Sequence, residues 1–272
     1  MLIVLWISIL LMLLSAILPG KNGSKRIIGA VGWGVFSVHW LQQPLHYIAI
    51  NDYVNVVLTI AMSVFCMLIA QKMYVQHTNR YTAGESNVDI TYMATNAIAI
   101  GSVFYFPFAE IPALKEWLIG TVTNNIIWTM NMLGMSAYRT GNLITYNGHT
   151  VEIILGCTAI ESIALFMGLI ASVNAPMKKL LAAFMVSVPV IYILNILRDV
   201  FVVVAYGEMW FGPNSFEIAH HMIAKAGSGV ALFVIAYMVM RILPEILELI
   251  DGLWNMITEH INTIRKKVLG NN

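Results

Sequence analysis

Long apolar runs recur along this chain and limit its folds more than any other feature. A bilayer-crossing helix needs about 20 mostly apolar residues. Runs of that kind occupy 2–18, 27–50, 53–71, 90–109, 158–174, 180–206 and 217–242. Those at 27–50 and 217–242 carry polar residues, so their ends are soft. Segment 121–137 is apolar but rich in Asn and Thr; it is expected as an interfacial or re-entrant helix, or as part of an eighth crossing. Composition agrees. The chain is 59% hydrophobic and 11% charged, whereas a soluble domain is about 45–50% apolar and about 25% charged. Too few charges remain to cover a water-facing surface. The expected fold is an all-α polytopic membrane protein with seven spans, or eight if 121–137 crosses. Neither an internal repeat nor a low-complexity linker divides residues 1–243, which are read as a single transmembrane domain followed by a tail, 244–272.

The opening run resembles a signal peptide but lacks its basic leader. Lys21, Lys25 and Arg26 follow the run instead, so it is read as a retained first span. The other basic residues alternate in the same way. Lys72 and Arg80 follow the third span, Lys178 and Lys179 the fifth, and Arg241 ends the seventh, with Arg265, Lys266 and Lys267 in the tail. Under the positive-inside rule this predicts a multi-pass plasma-membrane protein, N-terminus outside and C-terminus cytoplasmic. Segment 110–157 is then the longest external region. It contains Asn147 and Gly148 between β-forming Ile144, Tyr146, Val151 and Ile153. An Asn-Gly pair suits a type I′ turn, whose two central residues need positive φ. A small external β-hairpin is therefore expected, leading into Cys157. In the tail, Ile246, Leu249, Ile250, Leu253, Trp254, Ile257 and Ile261 recur at helical spacing, which predicts an amphipathic helix on the cytoplasmic membrane face.

Charge within a span is expensive and reads as functional. Arg198, in "YILNILRDVFVVVAY", lies about 28 Å along its helix from Lys179 at 1.5 Å per residue. That places it past the midplane, toward the outer leaflet, with Asn195 and Asp199 beside it. Cys157 stands at the outer start of the fifth span, and His220 and His221 near the outer start of the seventh. Topology alone brings thiol, guanidinium and imidazole to one depth. An imidazole can take the proton of a thiol. An arginine, always charged, can bind the oxyanion formed when a thiolate attacks a carbonyl. The set suffices for acyl transfer through a thioester.

Each residue also has a plainer role. A cysteine in an apolar run is most often a packing residue, and Cys66 keeps that reading. Arg198 could snorkel or pair with Asp199, and a histidine at a helix start is often simply interfacial. Glu161, one turn after Cys157, could orient a partner, and Lys225 could be a second cation. Glu161, Asn195, Asp199 and Lys225 are carried as candidate substrate-binding residues. Two cysteines without a CxxC pair or a His/Cys cluster indicate neither metal nor cofactor, and a net charge of +1 gives no reason to expect nucleic acid.

"GCTAIES", "LNILRDVFVVVAY" and "FEIAHHMIAKAGS" together resemble the exosortase/archaeosortase superfamily of integral membrane cysteine transpeptidases, in particular its archaeal members. The resemblance covers roughly 150–243; the first four spans share only hydrophobicity. It puts the family's nucleophile on Cys157, its arginine on Arg198 within an N-x-x-R context, and its histidine on His220, with His221 as the alternative. It also makes 1–243 a catalytic domain. The implied reaction removes a C-terminal sorting signal (a Pro-Gly-Phe motif, an apolar helix and a basic tail, PGF-CTERM-like) from surface proteins. The acyl group then passes to a membrane lipid amine. Three readings compete: a cysteine protease at the same site with water as acceptor, a small-anion transporter using Arg198, and a non-catalytic assembly subunit.

Overall fold

The computed structural model describes residues 2–18, 23–78 and 89–269; Lys21 and Arg80, used in the charge pattern above, lie outside them. The described residues are mostly helical. In chain order they form α1 (Leu2–Ile17), α2 (Gly23–Gln42), α3 (Pro44–Ala49), α4 (Tyr53–Thr78), α5 (Ile90–Glu110) and α6 (Pro112–Met132). Three short strands follow, β1 (Tyr138–Thr140), β2 (Leu143–Tyr146) and β3 (His149–Glu152), then a 3-10 turn at Leu155–Cys157. The chain continues with α7 (Ile160–Ser172), α8 (Met177–Gly207), a π-helical segment (Glu217–Ala224), α9 (Lys225–Ile242) and α10 (Glu245–Leu269).

Among the described residues, three helices are long and apolar enough to cross a membrane: Tyr53–Thr78, Met177–Gly207 and the continuous Glu217–Ile242. The pair α5 and α6 passes the same test only when taken together, and it bends by 92°, which makes up to four. Helices α1 and α7 are apolar, but at 16 and 13 residues they are shorter than a single crossing requires. The run expected at 27–50 is broken. Helix α2 ends at Gln42 and α3 restarts at Pro44, whose ring and missing N–H stop the preceding helix. The segment expected at 121–137 is a helix that begins earlier, at Pro112, and ends at Met132.

The chain divides into two compact units, one of residues 1–100, 171–173 and 245–272, the other of 101–170 and 174–244. In the first, α2 packs on α1 and α4 around Leu5, Met12, Trp33, Ile69 and Met73, all buried. Several polar side chains inside it are paired between helices, which offsets the cost of burying them. Trp33 Nε1 donates to Thr95 Oγ1 at 2.8 Å, and Ser37 Oγ and Ser63 Oγ each donate to the other residue's carbonyl at 2.9 Å. Helix α10 buries Ile246 and Leu249 in this unit, and Gly252 abuts the Ile90 side chain, leaving no room for a Cβ.

The second unit carries the sheet. The expected hairpin is there: β2 and β3 pair antiparallel, with Tyr146 opposite His149. Both turn residues have positive φ, Asn147 at 49° and Gly148 at 82°. Sequence reading missed β1, which pairs antiparallel with β2 and makes a three-stranded sheet. Ile144, Tyr146 and Val151 point from one face of the sheet into a core shared with Ile119, Val122, Ile126 and Met130 of α6 and Ile196, Val200, Val203 and Val204 of α8. The sheet thus encloses the last turns of α8. Tyr146 packs over Gly207, where a Cβ would lie 2.4 Å from its Cδ1, and its hydroxyl donates to Glu208 Oε1 at 3.2 Å. Cys157 belongs to the same core.

Candidate functional site

The segment from β3 to α7 is tightly folded. The Cys157 N–H donates to the Ile154 carbonyl at 2.9 Å, and Thr158 donates to Leu155 O through its N–H at 3.0 Å and its Oγ1 at 2.7 Å. Ala159 then takes φ 59°, a left-handed conformation that costs a non-glycine residue roughly 1–2 kcal/mol. The chain reverses there and starts α7, with Glu161 in the first turn. Strained residues of this kind cluster at functional sites because surrounding packing must hold them.

Asn195 ties the turn to α8. Buried itself, it donates from Nδ2 to the Cys157 carbonyl at 2.7 Å and to Asp199 Oδ2 at 3.1 Å. Its Oδ1 accepts from Arg198 Nη1 at 3.4 Å. Asp199 lies 3.7 Å from the same guanidinium. It is buried and points into the protein, where it orients Asn195 and Arg198. Arg198 Nε is buried and has no hydrogen-bond partner among the described residues. Arg198 is tied through Asn195 to the Cys157 carbonyl. Burial pushes the Cys157 thiol above the usual cysteine range. The Ile154 hydrogen bond opposes that, the Asp199 charge adds to it, and Arg198 opposes it.

Both histidines lie in the π-helical segment. Such widened turns interrupt an α-helix most often at functional sites. His220 is half-buried, its Nδ1 unpartnered among the described residues, its ring 5.2 Å from that of Phe216. His221 stacks on it at 4.7 Å. It faces outward, with Nε2 3.8 Å from Glu217. The two histidines that the sequence left equivalent differ in exposure: His220 is half-buried and His221 is exposed. Lys225 is exposed at the start of α9.

A cavity of about 370 Å³ opens between α7, α8 and α9, within the size range of small-ligand sites. Glu161, Asn195 and Arg198 supply its charged and hydrogen-bonding groups beside Ser162 and Ser228. Gly156 and Ala159, which bracket Cys157, also line it. Cys157, Asp199, His220, His221 and Lys225 do not. The thiol sits in the core just behind the wall. The sequence reading passed over the apolar lining, although its spacing is visible: Ile191, Leu194 and Phe201 fall on the Arg198 face of α8, and Ala224, Gly227 and Ala231 recur on one face of the Glu217–Ile242 helix. Among the described residues, no group of three or more His, Cys, Asp and Glu side chains could hold a metal ion. A buried thiol, a guanidinium with an N–H unpartnered among the described residues and a half-buried imidazole are the residue types that attack on a carbonyl and stabilisation of the resulting oxyanion would need.

The chain is 30% identical to archaeosortase A of Haloferax volcanii, an alignment covering 87% of this chain and 88% of that protein. It is 25% identical to archaeosortase A of Natronomonas pharaonis, over 86% and 81%. No solved structure matches. The family model described as transmembrane exosortase matches residues 1–241, a region that includes every candidate site residue above, and the chain belongs to the transmembrane exosortase family.

Proposed function

We propose that this protein is a membrane-embedded cysteine transpeptidase that cleaves a C-terminal, PGF-CTERM-like sorting signal from surface proteins and transfers them to a membrane lipid. The observation that carries the reading is the position of Arg198, joined through Asn195 to the Cys157 carbonyl and set in the wall of the cavity. Its relatives are archaeosortases by name. The proposed catalytic domain is 1–243, with the N-terminus outside, the site at the outer face and α10 along the cytoplasmic face.

In the first step Cys157 Sγ, deprotonated by His220, attacks the scissile carbonyl carbon. The C=O pair moves onto oxygen, and Arg198 donates to that oxyanion. Collapse re-forms the carbonyl and breaks the C–N bond. The leaving amine takes the proton from His220, and the apolar C-terminal helix departs. In the second step a lipid amine attacks the thioester and gives its proton to His220. Collapse forms the amide, and the released Cys157 thiolate regains the proton. Arg198 has one orphaned N–H ready for the oxyanion, and removal of a single such donor typically costs about 10²–10³ in rate. Asn195 and Asp199 position Arg198 and the Cys157 turn; Glu161 meets substrate within the cavity. The inward side of His220 favours it over His221 as base.

The test follows a tagged surface protein with this signal. Cys157→Ala and Arg198→Ala should abolish cleavage, His220→Ala should reduce it strongly, and Cys66→Ala and His221→Ala should leave it intact. Normal cleavage by the Cys157→Ala protein would end the proposal. The mass of the product C-terminus, a lipid amide or a free carboxylate, separates transfer from plain proteolysis.

A further inference from the structure

Helix α6 presents two opposite faces. Ile119, Val122, Ile126 and Met130 are buried in the core that contains Cys157. On the other side Leu114, Trp117, Trp128 and Met132 form an exposed stripe, the tryptophans 61% and 64% exposed. Tryptophan beside aliphatic residues on one helix face is the composition that settles at the boundary between lipid tails and headgroups. Two lengths locate that boundary. Helix α5 has 21 residues, about 32 Å of helix, which matches in length a hydrocarbon core of about 30 Å, although in apolarity it passes only together with α6. The chain then turns by 92° into α6. Helix α8 has 31 residues, about 46 Å, and overshoots the same core. Its exposed apolar side chains, among them Leu181, Met185, Ile193 and Leu197, stop at Leu197, and from Val200 the helix is enclosed. Helix α6 meets α8 across this change: Asn125 Nδ2 donates to Tyr192 Oη at 2.6 Å, and Ile119 and Val122 share a core with Val200 and Val203.

We infer that α6 lies flat in the membrane interface, with its Leu114, Trp117, Trp128 and Met132 face seated in lipid, and that it acts as a float fixing the depth of Cys157. The helix neither crosses the bilayer with α5 nor stands in water. Its other face grips the core around the nucleophile, so the immersion of α6 sets the immersion of Cys157.

The test uses the full chain in bilayer nanodiscs, with both cysteines replaced by alanine. Nitroxide labels at W117C and W128C are compared by their accessibility to oxygen and to a water-soluble nickel chelate. Equal depth just beneath the headgroups is expected. A difference of about 16 Å, the rise of 11 helical residues, would mean that α6 crosses, and labels fully open to the chelate would put it in water; either overturns the inference. So would equal depth near the bilayer centre. A second arm labels Ile154, exposed beside the Cys157 turn, with and without W117K/W128K. A shift of that label toward water, on the order of 5 Å, is expected; an unchanged depth would refute the role of α6 as a float. As a control that needs no cysteine chemistry, brominated lipids should quench the native protein more than either W117F or W128F, and equal quenching in all three would also count against it.

Discussion

Replacement of Asn195 separates hydrogen bonding from packing at the heart of the site. Its Nδ2 serves the Cys157 carbonyl at 2.7 Å and Asp199 at 3.1 Å, while its Oδ1 receives Arg198. In Asn195→Ala the carbonyl and the carboxylate both lose a buried donor. Each such loss costs about 1–3 kcal/mol, so a total of about 2–4 kcal/mol is expected after partial relaxation. Asn195→Asp keeps the volume but reverses the polarity: an ionised carboxylate would face the Cys157 carbonyl and Asp199 with no proton to give. The expected order of stability at neutral pH is therefore wild type, then alanine, then aspartate. If Asn195 only filled space, the near-isosteric aspartate would be the milder change. Thermal unfolding in detergent reads the order, with a fall of several degrees for alanine. Cleavage should fall about 100-fold if the thiol moves by about 1 Å. An aspartate variant as stable as wild type, or more stable than the alanine variant, would refute the reasoning.

Three further outcomes follow from the geometry around the same turn. Gly207→Ala would put a Cβ 2.4 Å from Tyr146 Cδ1 and 3.0 Å from its carbonyl oxygen, so it should destabilise by about 1–3 kcal/mol, seen as a lower melting temperature. Ala159→Gly removes the left-handed strain at φ 59° and should stabilise by about 1 kcal/mol; a loss of stability would show that the strain is absent. Burial raises the Cys157 thiol, so alkylation by an uncharged maleimide should rise with pH, with its midpoint above that of an exposed cysteine. Arg198→Ala should move that midpoint higher and Asp199→Asn lower, since the two charges act in opposite directions; movement in the reverse directions would contradict the arrangement.

Much of this fold is legible in the amino-acid order alone. Apolar length locates α4, α5, α8 and the 217–242 helix, because sustained hydrophobicity needs no tertiary context. Asn147 and Gly148 locate the hairpin turn, because few other pairs accept two positive φ values. Short or interrupted elements are harder to read. Tyr138–Thr140 has no alternation to mark it as a strand and exists because β2 offers it an edge. Lys115 and Glu116 disguise the first turns of α6, which are exposed and need no apolar run. The π-helical segment at the histidines has no sequence signature, yet it sets which of the two rings is half-buried and which is exposed. Depth along the spans is enough to group Cys157, Arg198 and His220. It does not reveal that Asp199 turns inward, that Lys225 stays outside, or that the thiol lies behind the cavity wall, since those depend on rotation about each helix.

The most direct measurement is the mass of the enzyme during turnover. The wild-type protein, mixed with a signal-bearing substrate and quenched in acid during turnover, should carry the substrate's acyl fragment on the peptide containing Cys157, and neutral hydroxylamine should remove it. A substrate that is processed while that sulfur stays free and fully alkylatable at every time point would contradict the account.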